Sequence, residues 1–216
     1  MNAQIVRKPD TWVSWPGDPI TLDGQPLQAA AKRVVLFYKP KGVVTTHRDE
    51  RERRTIFDVL PSELRSLHAV GRLDQATSGL LILTNDSTLS NYLTDPVHAL
   101  PRVYLVTVRG EMTEADAQQA LDGIEDDGER LRCSRLLVQK HSGRESHLLM
   151  TLTEGKNREV RRLCLALGHE VTRLKRLQFG PFVLGDLAPG AWRDIPAAEA
   201  RRLVMGVAER RGSARR

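Results

Sequence analysis

Hydrophobic and polar positions along this chain change period several times, and the changes predict where its elements lie. Residues 34 to 38, VVLFY, form a β-branched and aromatic run closed by Lys39-Pro40-Lys41-Gly42, which predicts a buried strand ending in a loop. Residues 79 to 84 form a second apolar run, closed by Asn85-Asp86. Leu89, Tyr92 and Leu93 fall at i, i+3 and i+4, predicting a short helix that stops before Pro96. Residues 102 to 108 predict a strand, and Thr113-Glu114-Ala115-Asp116 is a capping box opening a helix through Leu121. Residues 136 to 138, 148 to 152 and part of 171 to 179 predict strands. Between the last two, Asn157 is expected to cap a helix that runs to Leu167 and ends at Gly168.

Upstream, WPGDPITLDGQPL (15 to 27) sets two turn signals around a short alternation and predicts a β-hairpin. The charge run HRDERERR (47 to 54) reads as a solvated loop. Strands outnumber helices without a regular βαβ alternation, so the expected class is α+β, with a mixed, largely antiparallel sheet. No internal repeat is present.

Composition narrows the picture. At 216 residues, 40% hydrophobic and 28% charged, the chain suits one sizeable globular domain or one domain with a small attachment. No apolar run approaches a membrane span and the N-terminus carries no signal-like core, so a cytoplasmic address and no membrane partner are expected. Two cysteines, Cys133 and Cys164, and six scattered histidines offer neither a disulfide framework nor a metal-ligand spacing, and no metal is expected. The net charge of +6 points to an anionic partner, but its placement is uneven. Residues 201 to 216 carry six arginines against Glu209 and read as a basic C-terminal tail. A second cluster lies in folded-looking sequence: Lys156, Arg158, Arg161, Arg162, Arg173, Lys175 and Arg176.

Phosphate-loop, dinucleotide-binding, zinc-protease and serine-hydrolase motifs are absent, leaving no support for a nucleotide cofactor or an acyl-enzyme. Two features remain. Arg158, Arg161 and Arg162 at i, i+3 and i+4 would share one helix face, near an N-terminus whose dipole disfavours them, which suggests an external or tertiary anion. GRLDQATSGLLILTND (71 to 86) places a lone carboxylate, Asp74, before a buried strand. Asp74 reads either as turn chemistry or as a reactive group held in a cleft.

Taken with KPKGVV (39 to 44), RVYLV (102 to 106), EGKNREVRRL (154 to 163) and PGAWRDI (189 to 195), that stretch resembles the pseudouridine synthases. Within them it resembles the RsuA/RluB/RluE-like branch of ribosomal RNA pseudouridine synthases. The segments occur in the family's order over roughly residues 34 to 195. The resemblance implies a pseudouridine synthase-like core with a central cleft. It implies Asp74 as the essential catalytic aspartate, Tyr104 as the tyrosine that stacks on the target base, and Arg161 as the aspartate's partner. Lys39 and Pro40 match the motif that supports the catalytic loop. Arg72, Lys39, Lys156, Arg158, Arg162, Arg173, Lys175 and Arg176 are the expected RNA-binding residues. Arg102 stands where many members carry lysine, and Glu159 where many carry glutamine, which sets an acid beside the arginines.

Residues 2 to 27 resemble the second half of an S4 RNA-binding module, so residues 1 to 33 are expected to be a partial S4-like segment before a catalytic domain at 34 to 200. Either the module has decayed or Met1 lies inside a longer gene. The expected activity is isomerisation of uridine to pseudouridine in ribosomal RNA, large-subunit RNA favoured, by a monomer without cofactors. The alternatives are a non-catalytic RNA-binding or ribosome-assembly factor, or the same isomerase acting on small-subunit or transfer RNA.

Overall fold

The structure, a computed structural model, describes all but residues 1–4, 9, 14–19, 29 and 214–216, and its side chains are described as far as residue 206. It divides into two units, residues 1–31 and 32–216. In the first, β1 (Thr21–Leu22) and β2 (Gln25–Pro26) pair antiparallel across Asp23-Gly24. Both turn residues adopt positive φ (51° and 78°), the backbone that an Asp-Gly hairpin turn requires. This is the expected hairpin; its leading WPGDP lies outside the described residues.

The second unit is built on one sheet. Its strands are β3 (Val34–Lys39), β4 (His68–Val70) and β5 (Ser78–Thr84), then β6 (Arg102–Arg109) after helix α1 (Ser87–Thr94). Helix α2 (Glu114–Asp122) leads to a separate hairpin, β7 (Ile124–Asp126) and β8 (Glu129–Leu131). Strands β9 (Arg135–His141) and β10 (Glu145–Leu152) follow, then helix α3 (Glu159–Ala166). Strands β11 (Val171–Phe179), β12 (Phe182–Val183) and β13 (Trp192–Ile195) and helix α4 (Ala197–Ser213) complete it. The strand order is β13-β3-β5-β11-β6-β10-β9, with β12 added to β11 and β4 to β5. All pairs are antiparallel except β5–β11. The mixed, largely antiparallel sheet of an α+β fold is therefore present.

The central strands are buried on both faces, which is why their sequences are continuous apolar runs and not alternations. Val34, Leu36 and Tyr38 of β3 enter one core with Leu80 and Ile82, while Val35 and Phe37 enter another with Leu81 and Leu83. A third core packs β6 and β10 against α2 and α3 through Val106, Val108, Leu148, Met150, Ala120, Leu163 and Cys164. The capping box opens α2 as expected: the Thr113 hydroxyl accepts from the Asp116 N–H, and the Asp116 carboxylate accepts from the Thr113 N–H.

Two expectations are corrected. Helix α3 starts later than its sequence suggests, at Glu159, and its N-cap is Arg158 in the left-handed conformation (φ 49°), not Asn157. Arg158 is therefore off the helical face of Arg161 and Arg162. The basic C-terminal segment is not a tail throughout. Residues 197–213 are helical, with Ala200 and Val204 buried at i, i+4 against the first core, and Arg201 donates to the buried Asp86 at 3.0 Å. The charge count hid an amphipathic face one residue wide; the last three residues lie outside the described ones.

Where β5 meets β11 the backbones approach closely at Gly79. A Cβ built there would sit 2.2 Å from the Arg176 carbonyl oxygen, and φ is +105°. Only glycine fits this seam. Gly79→Ala is expected to lower stability by about 3 kcal/mol, because the clash is with backbone that cannot turn aside. Gly42→Ala, also at positive φ (+95°) but with nothing within 4 Å, should cost about 1 kcal/mol. Urea unfolding of the two variants measures the difference.

Candidate active site

The turn at residues 71 to 77 is held from several sides. Beneath it lies Lys39, the last residue of β3 and fully buried, whose ammonium donates to the carbonyls of Asp74 (3.0 Å), Thr77 (2.8 Å) and Pro40 (3.2 Å). Beside it the Thr45 hydroxyl donates to Leu73 O and accepts from Leu73 N–H, while Gly42 N–H donates to Gln75 O. From α3, Arg161 donates to Ala76 O at 3.3 Å. Leu73 is buried in the core below. With its backbone fixed in this way, the turn leaves the Asp74 side chain 35% exposed at the wall of a cavity of about 560 Å³.

Two arginines reach the same carboxylate oxygen. Arg158 Nη1 lies 3.3 Å and Arg161 Nε 3.9 Å from Asp74 Oδ2. The left-handed N-cap turns Arg158 toward the carboxylate; strained backbone of this kind gathers at functional sites. Arg161 is anchored by Val171 O, and its Nε is buried without a hydrogen-bond partner. Burial, then the neighbouring Arg158, lowers the Arg161 guanidinium's hold on its proton, and Asp74 opposes both.

Tyr104 of β6 lines the cavity, as do Arg72, Lys156, Arg158 and Arg176. Of the residues expected from the sequence, these five join Asp74 and Arg161 in one place. Four do not. Lys39 has no surface for RNA because burial under the turn consumes all three of its N–H groups. Arg162 points the other way, donating to Asp126 and Glu129 of the β7–β8 hairpin. Arg173 and Lys175 alternate away from Leu174 and Arg176, which face the cavity, and the Lys175 ammonium sits 5.2 Å over the Tyr38 ring. Lys156 lines the cavity but is paired with Glu154 and donates to Arg130 O.

Three wall residues had no part in the expected site. Arg102 is buried and donates to the carbonyls of Leu100, Thr153 and Glu154. Phe179 receives the Arg102 and Arg176 guanidinium groups at 4.6 and 5.0 Å from its ring centre. Glu159 accepts from the Gly155 and Lys156 N–H groups and so shapes the loop before α3. Burial raises the pKa of the Glu159 carboxyl, and at 5% exposure it adds little acid character to the cavity. A second concavity of about 890 Å³ shares Arg72, Asp74 and Arg158 with the first and extends to Lys41, Arg48 and Arg51. The charge run of 47 to 54 thus borders the site, although its Arg53 is tied to Asp49.

The RNA pseudouridylate synthase family model matches residues 33–166. An uncharacterized RNA pseudouridine synthase of Aquifex aeolicus is 34% identical, over 96% of this chain and 84% of its own length. Proteins named ribosomal large subunit pseudouridine synthase B are 36% identical in Vibrio cholerae and 39% in Pseudomonas aeruginosa. Those matches cover 82% and 84% of this chain, which spans 57% and 49% of those relatives' lengths. A crystal structure of a pseudouridylate synthase superposes with a TM-score of 0.71 at 28% identity, over 94% of this chain and 86% of its own. The chain belongs to the RNA pseudouridylate synthase family.

The arginines should therefore divide by neighbour, not by charge. Arg158→Ala is expected to weaken RNA binding and reduce the salt slope by about one charge. Arg162→Ala should leave that slope unchanged and lower the melting temperature, since it strips the anchor from the β7–β8 hairpin. Filter-binding titrations across salt concentrations, beside thermal denaturation, test both.

Lys39 adds a pH dependence. Burial pushes its ammonium down to about 8, with Arg176 reinforcing the shift and Asp74 opposing it. Between about pH 8 and the ordinary lysine value, the unfolded chain holds a proton that the folded one has lost, so stability rises with pH there. Activity should fall over the same window, because a neutral amine has two N–H groups for three carbonyls. Lys39→Met should abolish the stability slope and start from lower activity. Wild-type activity that stayed flat from pH 7 to 9.5 would count against this coupling.

Proposed function

We propose that this chain isomerises specific uridines of ribosomal RNA, those of the large subunit, to pseudouridine, and that Asp74 supplies the carboxylate that meets the reacting nucleotide. The observation that carries this is Asp74 itself: a half-buried carboxylate on a rigid turn, two arginines at its Oδ2, and Tyr104 in the same cavity. Large-subunit RNA is favoured by the relatives named for it.

The reaction breaks the bond from ribose C1′ to uracil N1, turns the base, and joins C1′ to C5; C5 gives up its proton and the freed N1 takes one up. A base inside a helix is out of reach of Asp74, so the target nucleotide must be extruded, at a cost of a few kcal/mol. Tyr104 offers a flat face to the extruded base. Arg161 orients the Asp74 carboxylate and is braced for it by the Val171 and Ala76 carbonyls. Its unfilled Nε lets a small movement of Asp74 on substrate binding close the 3.9 Å gap. Arg72, Arg158 and the Lys41, Arg48 and Arg51 rim supply backbone affinity without reading sequence.

Asp74→Asn removes the charge while keeping the shape of the turn. Tritium release from RNA labelled at uridine C5 is expected to fall below detection, with melting temperature and RNA affinity near wild type. A folded Asp74→Asn protein releasing tritium at a substantial rate would return Asp74 to the role of a turn residue. Carbodiimide mapping of pseudouridines in ribosomal RNA from a deletion strain identifies the position; a missing site in small-subunit or transfer RNA would overturn the large-subunit assignment.

A further inference from the structure

Arg176 is buried to 3% exposure in the middle of the sheet, where it pairs with Tyr104 on one side and Gly79 on the other. Such a cation needs partners. It has two: Nε donates to Leu80 O at 2.8 Å, and the guanidinium lies over the Phe179 ring. Nη2 has almost no accessible surface and donates to nothing, so a ligand reaches it only once a neighbouring part of the cavity wall shifts. The residue lines the cavity that contains Asp74 and Tyr104. A buried, charged donor left unfilled costs stability, so a partner supplied by the ligand would be strongly favoured. At this depth, beside the residue assigned to base stacking, that partner belongs to the base and not to the outer phosphates.

We infer that Arg176 Nη2 donates to a carbonyl of the target uracil, holding the base while it turns and selecting uracil over cytosine. This rests on the isomerase reading above. The chemistry of the turn makes one donor sufficient. Exchanging N1 for C5 at the ribose requires a half-turn about the axis through N3 and C6. That half-turn also exchanges C2 with C4, so a carbonyl oxygen occupies the same place before and after. Cytosine carries an amino group at C4 and would set a donor against Nη2 in one of the two orientations. Leu80 O and Phe179 keep the guanidinium fixed meanwhile.

The test uses a stem-loop RNA labelled at C5, carrying uridine, 2-thiouridine or 4-thiouridine at the target, since sulfur is a poorer acceptor than oxygen. Wild type is expected to slow on both thio-substituted RNAs. Arg176→Met should turn over uridine roughly 10- to 100-fold more slowly, the worth of a charge-assisted hydrogen bond, and lose its sensitivity to either sulfur. Its RNA affinity and salt slope should match wild type, and Arg176→Lys should recover part of the rate.

Wild type that is indifferent to both sulfurs, or slowed by one alone, overturns the inference even if Arg176→Met fails to fold. A reduced salt slope in a folded Arg176→Met also overturns it, by making Arg176 a phosphate contact. No tritium release from wild type on the uridine RNA would instead sink the isomerase reading.

Discussion

The buried ammonium of Lys39 is the interaction on which the site depends. Placing a cation in the interior is costly unless each of its N–H groups is satisfied, and here three carbonyls of two chain segments converge on it. Two of the three, those of Asp74 and Thr77, bracket the turn that carries the carboxylate. The position of Lys39 is set in turn by register, since β3 pairs with β5 so that Lys39 lies opposite Gly79. A slip of one residue would send Lys39 to the other face and carry Val34, Leu36 and Tyr38 out of their core with it. The packing of both faces of β3 and β5 into two cores therefore fixes the turn to which Asp74 belongs, although none of those residues touches the cavity.

The parallel seam between β5 and β11 performs the second act of assembly. It sets Arg176 beside Gly79, while the antiparallel partner on the other side of β11 sets Tyr104 beside Arg176. Helix α3, packed through Val160, Leu163 and Cys164, leans its Arg161 over the turn. Residues more than 100 positions apart thus converge through strand order, and the carboxylate, the aromatic face and the cations are in place before any ligand arrives. Preorganisation of this kind is effective because little of the protein has to reorganise when charge develops.

Much of this was legible in the sequence, for reasons that differ by element. The runs at 34 to 38 and 79 to 84 are so apolar that buried strands were the direct reading, and the capping box at Thr113 announced α2. The motif around Asp74 pointed, through its family resemblance, to the turn that carries a carboxylate at the cavity wall. Other parts were hidden. Helix periodicity put Arg158, Arg161 and Arg162 on one face, but it cannot show that the helix begins one residue after Arg158 in a left-handed cap. Arg162 meets Asp126 and Glu129, acids more than thirty residues away whose short hairpin has no strong strand signal. Lys39 looked like an RNA contact because charge in sequence carries no depth. The C-terminal arginines masked Ala200 and Val204, too sparse a stripe to register against so many charges.

What distinguishes the cations here is not their number but how far their donors are filled. Lys39 and Arg102 are buried and give hydrogen bonds to three carbonyls each, so they act on the walls and floor of the cavity and not on its contents. Arg162 spends its donors on a hairpin. Arg161 and Arg176 are each fastened by backbone carbonyls yet keep one buried nitrogen unfilled, and both line the cavity. Arg72 is solvated, Arg158 is half-exposed with one donor given to Asp74, and both lie at the rim shared by the two concavities. The site is thus graded from filled donors under the turn and in the wall, through unfilled donors in that wall, to the more exposed charges at its mouth. An extruded nucleotide has the matching gradient, with carbonyls on the base at its inner end and phosphates at its outer end. That correspondence uses the unfilled donors as well as the charges, whereas a surface that only bound the RNA backbone would need nothing deeper than the rim.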